Sequence, residues 1–330
     1  WMGRIGGVNL SKNGSFTILN DGEVEFYLEE ERVTGIKRDR SAKALVLRYL
    51  DNDVDSVAIC DCYTKYYPKK FLVRTREKEA LCKIIRAKGI PILDYRQRHH
   101  DCHAANAFYN SGFDDCAILV MDGKGSVHDN GGYRFCETES IYNNLDPVFK
   151  HYSTFWSEDE SIKLHDPYWD GNNFYSDRTS LGQAFRTISR YCGFDELDAG
   201  KTMGLSAYGH PATPITLWNE EYGHSICSKD IRPRKDTTEY YGTKMLEADV
   251  AYNLQKSAEK HLKFMIQKTI DLTGKKNIAC SGGFFLNCVA NYSILKQFDI
   301  KLYVDPIAYD GGNAVGAALL AHYENTLPRT

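Results

Sequence analysis

The chain has 330 residues and a mass of 37.5 kDa, which exceeds one minimal domain and suits two ordinary domains or one duplicated architecture. Its 42% hydrophobic and 26% charged residues exclude a disordered chain or a fibre. Forty-one basic against 44 acidic residues leave a formal charge of −3, which excludes a whole-protein electrostatic grip on nucleic acid while a local patch stays open.

No apolar run reaches the ~18–20 residues of a membrane span. The first thirty residues hold no signal-peptide core, so a cytoplasmic protein with no membrane partner is expected. The 10 cysteines form no C-x-x-C pair, and several sit in apolar runs, as Cys60 does in SVAIC and Cys280 in NIACSGG. They read as buried reduced thiols.

In chain order, Arg4–Leu10, Ser15–Leu19 and Glu23–Leu28 read as three antiparallel strands, the last two joined by the turn Asn20-Asp21-Gly22. A basic loop, a helix over Ser41–Leu50 and a strand over Ser56–Cys60 follow. Phe71–Lys88 reads as a helix and Ile90–Leu93 as a short strand. A second block starts near Asp114: Asp115–Asp122 is a buried strand ending in Gly123-Lys124-Gly125, and Gly131–Glu137 is its hairpin return. A strand, glycine turn and hairpin thus occur twice. Tyr142–Asp177 is aromatic and poorly periodic, and reads as an insertion or binding loop. Helices are expected over Leu181–Cys192 and Asp249–Leu272, the latter with Val250, Leu254, Ala258, Leu262, Met265 and Ile266 on one face. A strand over Asn277–Cys280, the turn Ser281-Gly282-Gly283, a helix from about Asn287, a strand over Lys301–Val304 and a small-residue helix over Ala314–His322 complete the reading.

Three constellations can carry chemistry. In His99-His100-Asp101-Cys102-His103 the first and last histidines are four apart, so on a helix they rise ~6 Å along one face and can bind one metal ion, while His100 points elsewhere. The apolar continuation AANAFY implies a partly buried helix, where unpartnered histidines are costly. Two imidazoles leave a site unfinished, and Asp310, at the Asp310-Gly311-Gly312 strand-to-helix turn, is the best candidate for the missing carboxylate. The glycine turns after buried strands, Gly123-Lys124-Gly125 and Ser281-Gly282-Gly283, allow an anion close approach or serve geometry alone. Asp122 can hold a metal, a water or a ribose hydroxyl. Gly200-Lys201-Thr202-Met203-Gly204 lacks the spacing of a P-loop. Glu29-Glu30-Glu31-Arg32, with Lys37, Arg38 and Arg40, is either a solvated charged face or a cation source for a phosphate or carbamate.

The stretches EEERVTGIK, HHDCHAANAFYNSGFDDCAILVMDGKG, AGKTMGLSAYG, ACSGGFFLNCVAN and DPIAYDGGNAVGAAL, in this order, resemble the N-terminal domain of the O-carbamoyltransferases of nodulation-factor and aminoglycoside biosynthesis, related to the tRNA threonylcarbamoyl transferase. The resemblance runs from about residue 4 to 322. It implies an α/β, actin/Hsp70-like ATPase fold, two RNase-H-like halves around a nucleotide cleft. Residues 1–113 are then expected as one subdomain, joined by the returning helix 314–330, and 114–313 as the other. It further implies iron or another divalent metal on His99, His103 and Asp310. Carbamoyl-adenylate, or ATP, would lie against Asp122, Gly123, Gly125, Lys201, Gly204, Gly282, Gly283, Asn287 and Asn313. Lys37 would act as a catalytic cation.

Two departures from the family pattern follow. Lys12-Asn13 stands where the family carries His-Asp, so Lys12 becomes the stand-in general base. No YrdC-like activating domain follows the last helix before Thr330, so a separate or removed YrdC-like partner is expected. The expected reaction is carbamoyl transfer to a hydroxyl of a sugar, an antibiotic or a hydroxymethyl pyrimidine in nucleic acid, with the aromatic stretch around Trp156, Trp169 and Phe174 either stacking the acceptor or packing locally. The competing readings are a non-catalytic nucleotide-binding partner subunit and a sugar kinase of the same fold. The imidazole pair argues against the kinase, since phosphoryl transfer uses magnesium on carboxylates.

Overall fold

The computed structural model describes residues 3–62, 72–130, 133–154, 167–176, 178–211, 218–219, 223–224, 239–240, 243–244 and 246–326. The chain opens with a meander, β1 (Arg4–Asn9), β2 (Ser15–Asn20) and β3 (Glu23–Glu29), followed by α1 (Glu31–Thr34) and α2 (Lys43–Tyr49). Asp21 and Gly22 both take positive φ, 51° and 85°, the primed turn whose twist suits a tight hairpin. Next come β4 (Ser56–Cys60), α3 (Leu72–Ala87), β5 (Ile92–Asp94) and α4 (His99–Asn110). The first sheet has the order β3-β2-β1-β4-β5, antiparallel across the meander and parallel from β1 to β5.

The second half repeats this plan. It comprises β6 (Ala117–Met121), β7 (Val127–Asn130), β8 (Tyr133–Asn143), β9 (Asp146–Thr154), β10 (Tyr168–Asp170), β11 (Asn173–Ser176), α5 (Leu181–Tyr191) and α6 (Ala199–Leu205). Two short hairpins follow, β12 (Trp218–Asn219) with β13 (Gly223–His224) and β14 (Glu239–Tyr240) with β15 (Thr243–Lys244). Then come α7 (Glu247–Thr273), β16 (Asn277–Ser281), α8 (Cys288–Leu295), β17 (Lys301–Val304) and α9 (Asn313–Thr326). The order β9-β8-β6-β16-β17, with antiparallel pairs up to β6 and parallel ones beyond it, mirrors the first sheet. The repeated strand-and-hairpin opening is therefore a repeated sheet.

Two expectations fail here. Tyr133–Cys136, in the expected hairpin return, pairs with β7, whereas the antiparallel partner of β6 is Glu139–Asn143 further along β8. Tyr142–Asp177 is not an insertion loop where it is described: β9 is an inner strand of the second sheet, and β10 and β11 extend its edge. Aromatic content hid the alternation, because Phe149 and His151 face one side of β9 while Tyr152 joins a separate buried cluster with Phe135 and Tyr175. Trp156 lies outside the described residues.

Strand alternation assigns the two faces of each sheet. Val57 and Ile59 pack toward α2 and α3, whereas Ala58 and Cys60 face α9. Leu119 and Met121 pack against the apolar face of α7, whereas Cys116, Ile118 and Val120 face Ala104 and Ala107 of α4. The helices α4 and α9 are thus sandwiched between the sheets, and α9 rests on the first one. Small residues allow this approach. A Cβ on Gly7 of β1 would stand 2.0 Å from the Ala314 carbonyl oxygen, and one on Gly316 of α9 would stand 1.9 Å from that of Cys102 in α4. Of the nine described cysteines, six are buried and none is in a disulfide. Among the described residues no helix is long and apolar enough to cross a membrane.

Gly316→Ala should therefore lower unfolding free energy by roughly 2–3 kcal/mol through overpacking, while Gly200→Ala, in open space on α6, should be neutral or stabilise by up to about 1 kcal/mol. Urea unfolding monitored by circular dichroism checks both; equal effects at the two positions would contradict the sandwich.

Candidate active site

Three chain segments converge where α4 and α9 begin. α4 starts with His99 and carries His103 one turn on; β6 ends at Met121 and hands over to Asp122; Asp310 opens the short turn leading into α9. His99 Nε2 lies 3.5 Å from Asp122 Oδ2 and 3.7 Å from Asp310 Oδ1, and His103 Nε2 lies 3.8 Å from Asp310 Oδ1. One ligand atom from each of the four residues falls within 4.8 Å of the others. All four are nearly inaccessible: the imidazoles are fully buried and the aspartates are each 8% exposed.

Neighbouring groups hold these side chains in place. The Ser281 hydroxyl donates to the Ala308 carbonyl at 3.2 Å, so toward His103 Nδ1, 3.0 Å away, it acts as an acceptor. His103 then carries its proton on Nδ1, and its Nε2 lone pair faces the cluster; that buried atom has no hydrogen-bond partner. Ser11 Oγ donates to Asp310 Oδ2 at 2.9 Å, and the amides of Gly283 and Lys124 donate to the two oxygens of Asp122, each at 3.2 Å. The Asn313 amide stands 3.4 Å from His99 Nε2, with its own buried oxygen unpartnered.

The electrostatics favour a cation. Burial would raise the pKa of Asp310, but the neighbouring His103 and His99 imidazoles hold it well below the ordinary carboxylate value. Asp122 is also lowered: burial and the nearby Asp310 push it up, and His99 and His103 more than offset them. Burial disfavours a charged His99, yet Asp122 and Asp310 raise it well above the usual imidazole value. Two buried anionic carboxylates thus face two imidazoles, and either a protonated His99 or a metal cation can balance them. Ligands ~2.1 Å from a common centre sit roughly 3.0–3.4 Å apart at adjacent positions. The observed spacings need only small closure, and two histidines with carboxylates suit iron, manganese or zinc better than magnesium. The residues fit a divalent first-row ion.

The other sequence candidates are distributed unevenly. Gly123, Gly125, Gly282 and Gly283 do border Asp122, but as close-packed backbone. Gly282, at φ 102°, has no room for a Cβ, which would stand 2.2 Å from the Met121 carbonyl oxygen. Asn287 caps α8 through the Ala290 amide and pairs with Gln255 in both directions. Lys12 is half-buried, and its charge helps to keep Asp310 ionised. Lys37 lies outside the cluster: it is 74% exposed and 3.8 Å from Asp198, which also pairs with Arg38 and with Lys201. Gly204 lies within α6.

The Glu29–Glu31 run is only in part a solvated face. Glu30 is 2% exposed and accepts from the Ala44 and Leu45 amides at the start of α2, and Glu29 is buried against Tyr309. Trp169 and Phe174 belong to strands four and three places from β6, roughly 14–19 Å away at ~4.8 Å per strand, so they pack locally rather than beside the cluster.

Sequence reasoning missed Ser11, Ser281 and Asp61. Asp61, 1% exposed after β4, pairs with Lys78, and its Oδ1 lacks a partner among the described residues. Its signal was positional: like Asp122, it ends a buried strand. Also missed was the support beneath α4. His100 Nδ1 bonds to Ser140 Oγ at 2.8 Å, Ser140 donates to Glu137 at 3.0 Å, and Lys150 bridges Glu137 and Asp101 at 2.8 and 3.3 Å. Burial lowers His100 to about 4, so it is neutral near pH 7.

Two expectations follow. Burial pushes Glu137 up, but His100 and Lys150 more than offset that and lower it from 4.5 to about 2. Its stabilisation is present above pH 4.5 and is lost as pH falls through about 2; Glu137→Gln should flatten the pH dependence of urea unfolding in that window, by on the order of 2–3 kcal/mol. His103→Ala should abolish stoichiometric metal in elemental analysis while leaving the circular dichroism unchanged, and Ser281→Ala should weaken metal affinity about 10–100-fold. Full metal occupancy in the His103 variant would refute the ligand assignment.

Known proteins resemble this chain over most of its length. The chain is 25% identical to the uncharacterized protein sll1178 of Synechocystis sp. over 92% of its own length and 54% of that protein. It is also 25% identical to nodulation protein NolNO of Sinorhizobium fredii, over 94% of the chain and 46% of that protein. It therefore spans about half the length of these curated relatives. Full-length HypF in its phosphate- and nucleotide-bound form superposes over 98% of this chain and 56% of that one, with a TM-score of 0.54 at 13% identity. That likeness is one of fold, the actin/Hsp70-like ATPase fold with two RNase-H-like halves. Residues 47–319 match the family described as carbamoyltransferase N-terminus, and the chain belongs to that family.

Proposed function

We propose that this chain carries out the transfer step of an O-carbamoyltransferase, moving the carbamoyl group of carbamoyl-adenylate to the hydroxyl of a sugar, an antibiotic or a hydroxymethyl pyrimidine in nucleic acid. The observation that carries the reading is the buried His99, His103, Asp122 and Asp310 cluster between two halves of a nucleotide-binding fold, in a chain of the carbamoyltransferase N-terminal family. The acceptor oxygen adds to the carbamoyl carbon, the bond from that carbon to the phosphate oxygen breaks, AMP leaves, and the hydroxyl proton passes to solvent. His99, His103 and Asp310, with Asp122, would hold the divalent metal, iron by our choice, which when bound supplies Lewis acidity toward the phosphate.

This chain's own groups do the rest. Ser281 and Ser11 fix His103 and Asp310. Lys12, close to Asp310, offsets negative charge as the phosphate departs. Asn313, whose buried amide oxygen has no hydrogen-bond partner, would supply a polar contact to the nucleotide. A YrdC-like activity, as a domain or a partner, is the proposed source of carbamoyl-adenylate.

The test is to mix metal-loaded protein with carbamoyl-adenylate and a panel of alcohols, then follow AMP release by chromatography and carbamate formation by mass spectrometry. Acceptor-dependent AMP release is expected, reduced at least ~100-fold in His103→Ala. Nucleotide binding without a carbamate from any acceptor would overturn the reading in favour of a non-catalytic nucleotide-binding subunit.

A further inference from the structure

Away from this cluster, on the α7 face of the second sheet, β8, β9, β10, β11 and α7 enclose a small pocket. Its walls are Phe149, Trp169, Phe174 and Phe264, and Lys268 of α7 enters it. The Lys268 ammonium nitrogen is 3.7 Å from the ring centre of Phe149, 5.0 Å from that of Trp169 and 5.9 Å from that of Phe264. No salt bridge to Lys268 is found among the described residues. The pocket's carboxylate, Glu139, is already engaged by two imidazoles: His261 Nε2 at 2.5 Å and His151 Nδ1 at 3.2 Å, with His151 Nε2 in turn 2.8 Å from Ser176 Oγ. Trp169 at the mouth is 54% exposed, so the pocket opens to solvent there.

We propose that Lys268 is a second reactive centre in this chain, an amine whose partner is isocyanic acid and whose product is a carbamoyl-lysine. The lone pair of Nζ adds to the carbon of HN=C=O, and one proton moves from Nζ to the isocyanate nitrogen, so the addition has no leaving group. Three features favour this chemistry. Burial lowers the Lys268 amine from 10.5 to about 8 with no ion pair to restore it, Glu139 and the attraction of the ring faces for the ammonium opposing that shift. Isocyanic acid has three heavy atoms and no charge, matching a small aromatic pocket. The product is a neutral urea, which removes the buried charge and directs N–H donors toward the Glu139 and His151 side. The titratable groups facing Lys268 are Glu139 from β8, His151 from β9 and, behind Glu139, His261 from α7 itself. This proposal does not rest on the carbamoyl-transfer reading, since it needs only the amine and cyanate.

The experiment treats the folded protein with potassium cyanate at pH 7.4 and measures the modification rate of each lysine by peptide mass spectrometry. An amine titrating near 8 is ~20% neutral there against ~0.1% for an ordinary lysine, and a less basic amine is also a weaker nucleophile, so Lys268 should react on the order of tenfold faster than the median lysine. Unfolding in guanidinium should erase the preference. Trp169→Ala, at a half-exposed position, should slow the reaction by rewetting the amine, whereas simple accessibility predicts acceleration. Reaction of Lys268 at or below the median rate in the folded protein, or acceleration in Trp169→Ala, would overturn the proposal.

Discussion

The structure depends on a small volume where two carboxylates and two imidazoles are taken out of water together. Each alone would be costly to bury; together Asp122 and Asp310 raise His99 and are lowered by the imidazoles, so the four groups offset one another's burial. Asp122 and Asp310 come from opposite ends of the second half of the chain, and the histidines come from the helix that precedes it. The cluster exists only when β6, α4 and the turn into α9 are all in place. Folding and site assembly are thus the same event.

What brings those segments together is helix packing of unusual closeness. Gly316 lets α9 touch the Cys102 carbonyl, and Gly7 lets β1 touch the Ala314 carbonyl. The small-residue sequence of α9 and the alanines of α4 serve this contact, so the two helix starts meet at one seam between the sheets. The duplicated sheet order supplies the frame. In both halves the first strand is central, and its end delivers polar groups, Ser11 in one and Asp122 in the other, toward the same seam.

Buried polar groups elsewhere follow a consistent rule. Beneath α4, His100 Nδ1, Ser140, Glu137, Lys150 and Asp101 are linked in a chain that fixes the helix carrying the two cluster histidines, while His100 Nε2 has no partner. Behind the Lys268 pocket, Ser176, His151, Glu139 and His261 do the same. In each case a carboxylate is held ionised by imidazole or ammonium neighbours, and the local chemistry is set by which side chain is left outside the network.

Much of this was legible in the sequence, because it is local. Alternation, the Asp21-Gly22 turn and the helical period of α7 depend on contacts within a few residues, and the strands and helices were placed accordingly. The i,i+4 spacing of His99 and His103 likewise encodes its own geometry, and Asp310 was named as their partner. Other features required the tertiary structure. Asp122 was legible only as a carboxylate at a strand end, and the sheet order is what set it beside His99. The Glu29–Glu31 run looked solvated, yet Glu30 caps a helix fourteen residues on through the Ala44 amide. Lys37, a catalytic cation in the sequence reading, lies at the surface beside Asp198. Sequence periodicity reports which face of an element is buried; the identity of the group across from it is decided by packing between distant segments, which no local pattern records.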